Sequence, residues 1–205
     1  MIYRRVMFTG FDGGFPTAMK EKYAAVSSVI FKKSLFGKGA KCIRGYNSEN
    51  EKYSLSNGEA VCFPYRLLYA DDDDGFYNKL PDIESKLIYD CIFTRSSDGY
   101  VREKHLRNIL SAEIPEWCLP YVLRCASDYV VEIVTAVYDN LKERDNADIH
   151  SFCRSNPEMT KRAYTRMVSY WNEFYRYDCY RFYDYVGQKL FKECILPGVN
   201  FEKLK

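Results

Sequence analysis

The chain has two imidazoles, His105 and His150, and imidazole is the side chain that most readily moves protons near neutral pH. His105 shares the inward stripe of its helix with Val101 and Ile109, so it reads as a packed or hydrogen-bonded core residue. His150 lies beside Asp148 on a surface helix. Neither has a cysteine or serine at a spacing that makes a nucleophile dyad, so covalent and general-base catalysis have no local signature and no catalytic residue is assigned. The cysteines stand at 42, 62, 91, 118, 125, 153, 179 and 194, with no Cys-x-x-Cys pair and no zinc-finger spacing. They read as reduced core thiols, and no metal or other cofactor is implied. Asp71 to Asp74 followed by Gly75 fails as a calcium loop on register, since Ala70 and Pro81 fall at the first and last ligand positions. That stretch reads as a solvated acidic turn.

The strongest chemical pattern is basic and aromatic. Lys161, Arg162, Arg166 and Arg176 alternate with Tyr164, Tyr170, Trp171, Tyr175 and Tyr177, followed by Tyr180, Arg181 and Tyr183. Arg162 and Arg166 are four apart and share a helix face, where two guanidinium groups can grip phosphates while rings stack on bases or cover the arginine planes. Lys161, Arg162, Arg166, Tyr170, Arg176, Tyr180 and Arg181 are therefore the expected binding residues. Glu158, Glu173, Asp178 and Asp184 balance them, and an ordinary solvated face is the plainer reading of such a run.

These groups must be held by a scaffold, and composition bounds it. At 205 residues the chain is long enough for one substantial core without disulfides or metals. The expectation is a single domain over 1–205, with an N-terminal helix and irregular segment in 1–80 and a helical core in 81–197. Thirty Lys and Arg against 28 Asp and Glu leave a formal charge of +2, too small for the whole molecule to attract a polyanion. Nineteen Tyr and 13 Phe favour a core of large rings with polar rims. The opening Met1-Ile-Tyr-Arg-Arg-Val-Met-Phe lacks the pattern of a signal peptide, and no apolar run approaches 18 residues. A cytoplasmic protein without a membrane partner is expected.

Helical spacing of Met19, Tyr23, Val26 and Ile30 predicts a helix over Thr17–Phe36, capped at Gly37. Tyr53 to Phe63, with Asn57-Gly58 between two short runs, is either a tight hairpin or a surface loop leading into an extended Phe63-Pro64-Tyr65. Beyond Pro81 helices are expected at 82–95 and 99–110, then a long one from Pro120 to near Arg144 striped by Val122, Ala126, Val130, Ile133, Val137 and Leu141. Asp98 caps the second of these, and Asn146 and Asn156 cap helices reaching Arg154 and over 157–177. A last helix spans 180–195, where Gly187 suggests a close crossing. The fold class is mainly all-α: a compact bundle of antiparallel helical hairpins, with an irregular N-terminal third able to hold a small β-hairpin.

The turn Asp98-Gly99-Tyr100-Val101-Arg102-Glu103 between short helices resembles a HEAT-type repeat hairpin, in which Asp caps, Val packs inward and Arg lies across the neighbouring turn. The segment from about 87 to 192, including Asp128-Tyr-Val-Val-Glu-Ile133, Ser169-Tyr-Trp-Asn172 and Asp184-Tyr-Val-Gly187, is also similar to a set of uncharacterised bacterial α-helical proteins. That likeness implies no activity. HEAT-like scaffolds in alkylpurine DNA glycosylases use a concave basic face, but no catalytic carboxylate of that family is matched here. The leading expectation is thus a non-enzymatic interaction or scaffold protein that binds a protein partner through its Tyr- and Arg-rich helical surface. The alternative is a nucleic-acid-binding or DNA-repair-type helical-repeat protein using the basic face of helix 157–177.

Overall fold

The computed structural model describes residues 10–31, 41–43, 52–68 and 70–199, with 41–43 described by their backbone. Helices dominate, and two small antiparallel strand pairs occupy the N-terminal third. A 3₁₀ turn at Thr17–Met19 leads into α1 (Lys20–Ile30), which buries Tyr23 and Val26. The expected extension to Phe36 and the Gly37 cap lie outside the described residues.

Strands β1 (Lys41–Ile43), β2 (Lys52–Ser54), β3 (Ala60–Cys62) and β4 (Arg66–Leu68) follow. β2 and β3 form a hairpin with Lys52 opposite Cys62 and Ser54 opposite Ala60. Its turn contains Asn57-Gly58. Gly58 takes a φ of 84°, which glycine adopts without steric cost, and Asn57 Oδ1 accepts from the Glu59 amide at 2.9 Å. Period-2 alternation buries Tyr53 and Val61 on one face. β4 pairs with β1. The Leu67 amide also donates to Arg95 O (2.7 Å) and the Ser97 amide to Leu67 O (2.9 Å), which brings β4 alongside the residues that follow the third helix.

The helical part comprises α2 (Asp74–Tyr77), α3 (Ile83–Phe93), α4 (Gly99–Ser111), α5 (Leu119–Cys125), α6 (Val131–Leu141), α7 (Ala147–Ser155), α8 (Pro157–Tyr170) and α9 (Val186–Lys189). α8 and α9 run on as wider π turns at Trp171–Tyr175 and Leu190–Ile195. Asp98 caps α4 as expected, its Oδ1 accepting from the amides of Tyr100 (2.8 Å) and Val101 (3.4 Å). Gly187 sits at a close crossing of α8 and α9, where a Cβ would stand 2.7 Å from Met167 Cγ.

Four expectations need correction. The single helix from Pro120 to Arg144 is two, α5 and α6, broken at 126–130. Its stripe is real, since Val122, Ala126, Ile133, Val137 and Leu141 are all buried, but Asp128 interrupts the winding by accepting from the Val130 amide (3.1 Å) and turning toward buried arginines. Asn146 does not cap α7. Asp145 Oδ1 accepts from the Ala147 amide instead, and Asn146 Nδ2 donates to Leu141 O. Asn156 likewise leaves α8 uncapped. Its amide bonds both the N–H (2.7 Å) and the carbonyl (3.0 Å) of Ser54, joining the hairpin to the start of α8. The chain from 180 begins with a 3₁₀ turn at Phe182–Asp184, and its last helix starts at Val186.

One core takes side chains from Phe11 through Leu196. Its aromatic layer includes Phe63 stacked on Tyr121 at 4.1 Å and Phe15 on Tyr121 at 5.7 Å. Tyr121 places its hydroxyl on Gly14 O at 2.8 Å, so a buried ring keeps its polar end satisfied. Cys91, Cys118, Cys125, Cys153 and Cys194 are buried free thiols, and burial pushes the Cys153 thiol up to about 12.

Candidate functional site

Charged residues inside an apolar segment are the ones that demand explanation, because an ionised side chain is rarely buried without a partner. Arg66, Arg95, Arg102 and Arg124 are all buried, with Arg95 and Arg102 fully so. Four separate elements deliver them: β4, the turn after α3, the first turns of α4, and α5. Arg166, half-buried on α8, joins them by donating to Ser127 Oγ at 3.0 Å.

Asp128 sits among these guanidiniums. Arg102 makes a bidentate pair with it, Nε to Oδ2 at 3.0 Å and Nη2 to Oδ1 at 2.8 Å, and Arg66 Nη2 approaches Oδ2 at 3.5 Å. Burial raises the Asp128 pKa, but Arg102 and then Arg66 outweigh it, so the carboxyl stays below the usual range. Arg102 also donates to Ser96 O and Ser97 O of the preceding turn, both at 3.1 Å.

Among the described residues Arg95 has no such carboxylate bond. Its Nη groups donate to Thr94 O (3.2 Å) and Tyr65 O (2.7 Å), while its buried Nε has no hydrogen-bond partner among those residues. Burial first, then the nearby Arg124 and Arg66, push Arg95 down to about 9. It therefore still carries its charge at neutral pH, in a place that disfavours charge.

Aromatic rings cover the arginines. Arg66 and Arg124 lie 4.8 and 5.0 Å from the centre of the Tyr65 ring, and Arg102 and Arg66 lie 5.2 and 5.6 Å from that of Tyr129. Such guanidinium–ring contacts stabilise a cation without neutralising it. Tyr65 and Tyr170 share a hydrogen bond between their side chains. Burial raises the Tyr65 phenol, but that bond and the surrounding Arg66, Arg124 and Arg95 bring it below its ordinary value. Tyr129, Tyr170 and Phe174 then form a ring cluster, with centres 6.0 to 6.5 Å apart, that opens to solvent at Phe174, which is 54% exposed.

The expected binding residues divide. Arg166 and Tyr170 turn inward to this cluster. Arg162, Arg176, Tyr180 and Arg181 are exposed and Lys161 is half-buried. The winding of α8 widens at Trp171, so Arg176, Tyr180 and Arg181 beyond it do not continue the face of Arg162 and Arg166. Arg66, Arg95, Arg102, Arg124 and Asp128 were not among the expected binding residues. Their signal was charge within apolar sequence, as in Leu123-Arg124-Cys125-Ala126-Ser127-Asp128.

A second polar cluster holds His105, which is buried and hydrogen-bonded as expected. Its Nδ1 donates to Asp90 Oδ1 at 2.6 Å, and Nε2 stands 2.9 Å from Asp72 Oδ1 without the alignment a hydrogen bond needs. Tyr77 and Asn108 also donate to Asp90 (both 3.0 Å), and Lys104 pairs with Asp72 (2.7 Å). The acidic turn is thus only partly solvated: Asp71 and Asp74 are exposed, Asp73 caps α2, and Asp72 is drawn onto α4. These contacts of His105 and Lys104 anchor the acidic turn on α4. His150 is tied to Cys194 O at 2.8 Å.

Among the described residues no group of His, Cys, Asp or Glu is arranged to hold a metal ion, and no helix is long and apolar enough to cross a membrane. Comparison with family models, curated proteins and solved structures finds no match.

Proposed function

We propose that this protein works by binding, and that its ligand presents a phosphate or similar oxyanion to the arginine cluster. The observation that carries this reading is Arg95: a fully buried, charged guanidinium whose Nε has no partner among the described residues, crowded by like charges. A buried cation in that state is poorly compensated, and an oxyanion with several acceptor oxygens supplies both the charge and the missing acceptor. Arginine suits the task because its planar fork matches phosphate geometry. The +2 net charge of the chain fits a local anion site better than a long polyanion track. Arg166 and Tyr170, expected from sequence to bind, belong to this site.

Thermal melts in phosphate and in chloride at equal ionic strength test it. A ligand that binds the folded state alone raises stability by about 2.7 kcal/mol at a hundred times its Kd. Phosphate and sulfate should therefore raise the midpoint by several degrees, and Arg66→Ala/Arg166→Ala should remove the effect. Identical melts in the two salts would sink the proposal.

A second reading keeps the protein partner. Tyr177, Tyr180 and Tyr183 are 95%, 79% and 65% exposed beside the exposed Arg176 and Arg181, the residue types enriched at protein interfaces. Cross-linking of a partner that is lost on Tyr177→Ser/Tyr180→Ser supports it; unchanged capture counts against it.

A further inference from the structure

The ring cluster beside the arginines narrows the chemistry of the ligand. Tyr129 packs against the guanidiniums of Arg66 and Arg102, and Phe174 packs against Tyr129 and Tyr170. The aromatic surface thus reaches one ring beyond the cations. Phe174 is left 54% exposed and Tyr129 36% exposed, although large rings ordinarily bury their faces. Exposed rings contiguous with a cationic centre are the parts of a stacking platform for a base whose phosphate sits on arginine.

We infer that the site takes a nucleoside 5′-phosphate, its phosphate held by the arginine cluster and its base stacked on Phe174. This inference rests on the oxyanion reading above. Reach selects the ligand class. An aryl phosphate bonds its ring directly to the phosphate oxygen and stops at the level of Tyr129, whereas a base held one pentose away extends to Phe174. Stacking on a ring is sequence-tolerant, and both purines and pyrimidines should bind. The Tyr65–Tyr170 hydrogen bond lies beside Arg124, and an entering phosphate replaces it with bonds to its own oxygens.

Calorimetric titration of the full chain with inorganic phosphate, ribose 5-phosphate, AMP, UMP and O-phosphotyrosine tests the inference. AMP and UMP should bind about tenfold or more tighter than ribose 5-phosphate, the contribution of one stacked base. Phe174→Ala should lower AMP affinity about tenfold and bring it close to that of ribose 5-phosphate; its thermal midpoint in phosphate-free buffer verifies that the exposed ring was not holding the fold. Equal affinity for phosphate, ribose 5-phosphate and AMP overturns the nucleotide assignment and leaves the oxyanion site standing. Absence of binding by all of them overturns both. O-phosphotyrosine binding more tightly than AMP overturns the inference in favour of a phosphotyrosyl ligand. A 5′-phosphorylated oligothymidylate distinguishes the sources: affinity above that of UMP assigns the nucleotide to a strand end, and equal or lower affinity assigns it to the free pool.

Discussion

Replacing Asp128 by alanine removes the carboxylate that Arg102 grips with two nitrogens and Arg66 approaches. Arg102 is fully buried, and a buried ion left without its partner costs about 3–5 kcal/mol. Asp128→Ala should lose that much in a urea titration, and phosphate should restore part of it by standing in for the missing charge. A loss below about 1 kcal/mol would show that the cluster is wetter than its burial indicates. None of this was legible from spacing. Asp128 and Arg102 are 26 residues apart, and the pair exists because the break between α5 and α6 brings a carboxylate under the first turns of α4. Asp98 was legible for the opposite reason: a cap acts on amides two and three residues away.

Elements follow the same division between local and tertiary causes. Helices α3, α4 and α8 were read from periodicity and turn chemistry, which act within a few residues, and Asn57-Gly58 made the β2–β3 hairpin one of two readings, the other a surface loop. The break at 126–130 was missed because α5 and α6 pack on one core and keep one apolar stripe across the interruption. The acidic segment before α3 was misjudged for a like reason: its anchors, Lys104 and His105, come from α4. That anchoring predicts a pH dependence. Burial raises the Asp72 pKa, but Lys104 and His105 prevail and hold it below the ordinary value. Asp82, accepting from the Ser85 amide at the start of α3 and pairing with Lys22, is lowered to about 2. A depressed carboxylate pKa contributes stability that is complete above the unfolded-state value, about 4, and is lost as pH falls through the folded one. Stability should therefore drop between about pH 4 and pH 2. Asp72→Asn should be less stable at pH 7 and show a shallower drop, measured as urea midpoints across that range. Superimposable pH profiles for the variant and the parent would remove Asp72 from the account.

At the scale of the molecule, helical class and aromatic core were written into composition and periodicity, and the arginine cluster was not, because it is assembled from four elements and the side of a fifth. Its cost is borne by the whole fold. Burial and like charges depress Arg95 to about 9, which means that the folded state disfavours the charge that the unfolded chain carries freely. Buried ionic groups replaced by apolar residues of similar size often leave a protein equally or more stable. Arg95→Met then separates a residue kept for binding from one kept for folding. If the cluster serves an oxyanion, the variant in phosphate-free buffer should melt at or above the parent temperature, and phosphate should stabilise the parent but not the variant. If Arg95 instead holds the structure together through Tyr65 O and Thr94 O, the variant should lose about 3–5 kcal/mol whatever the buffer. Paired thermal and urea melts of parent and variant, with and without phosphate, distinguish the two, because only a binding role makes the stability difference change with the anion.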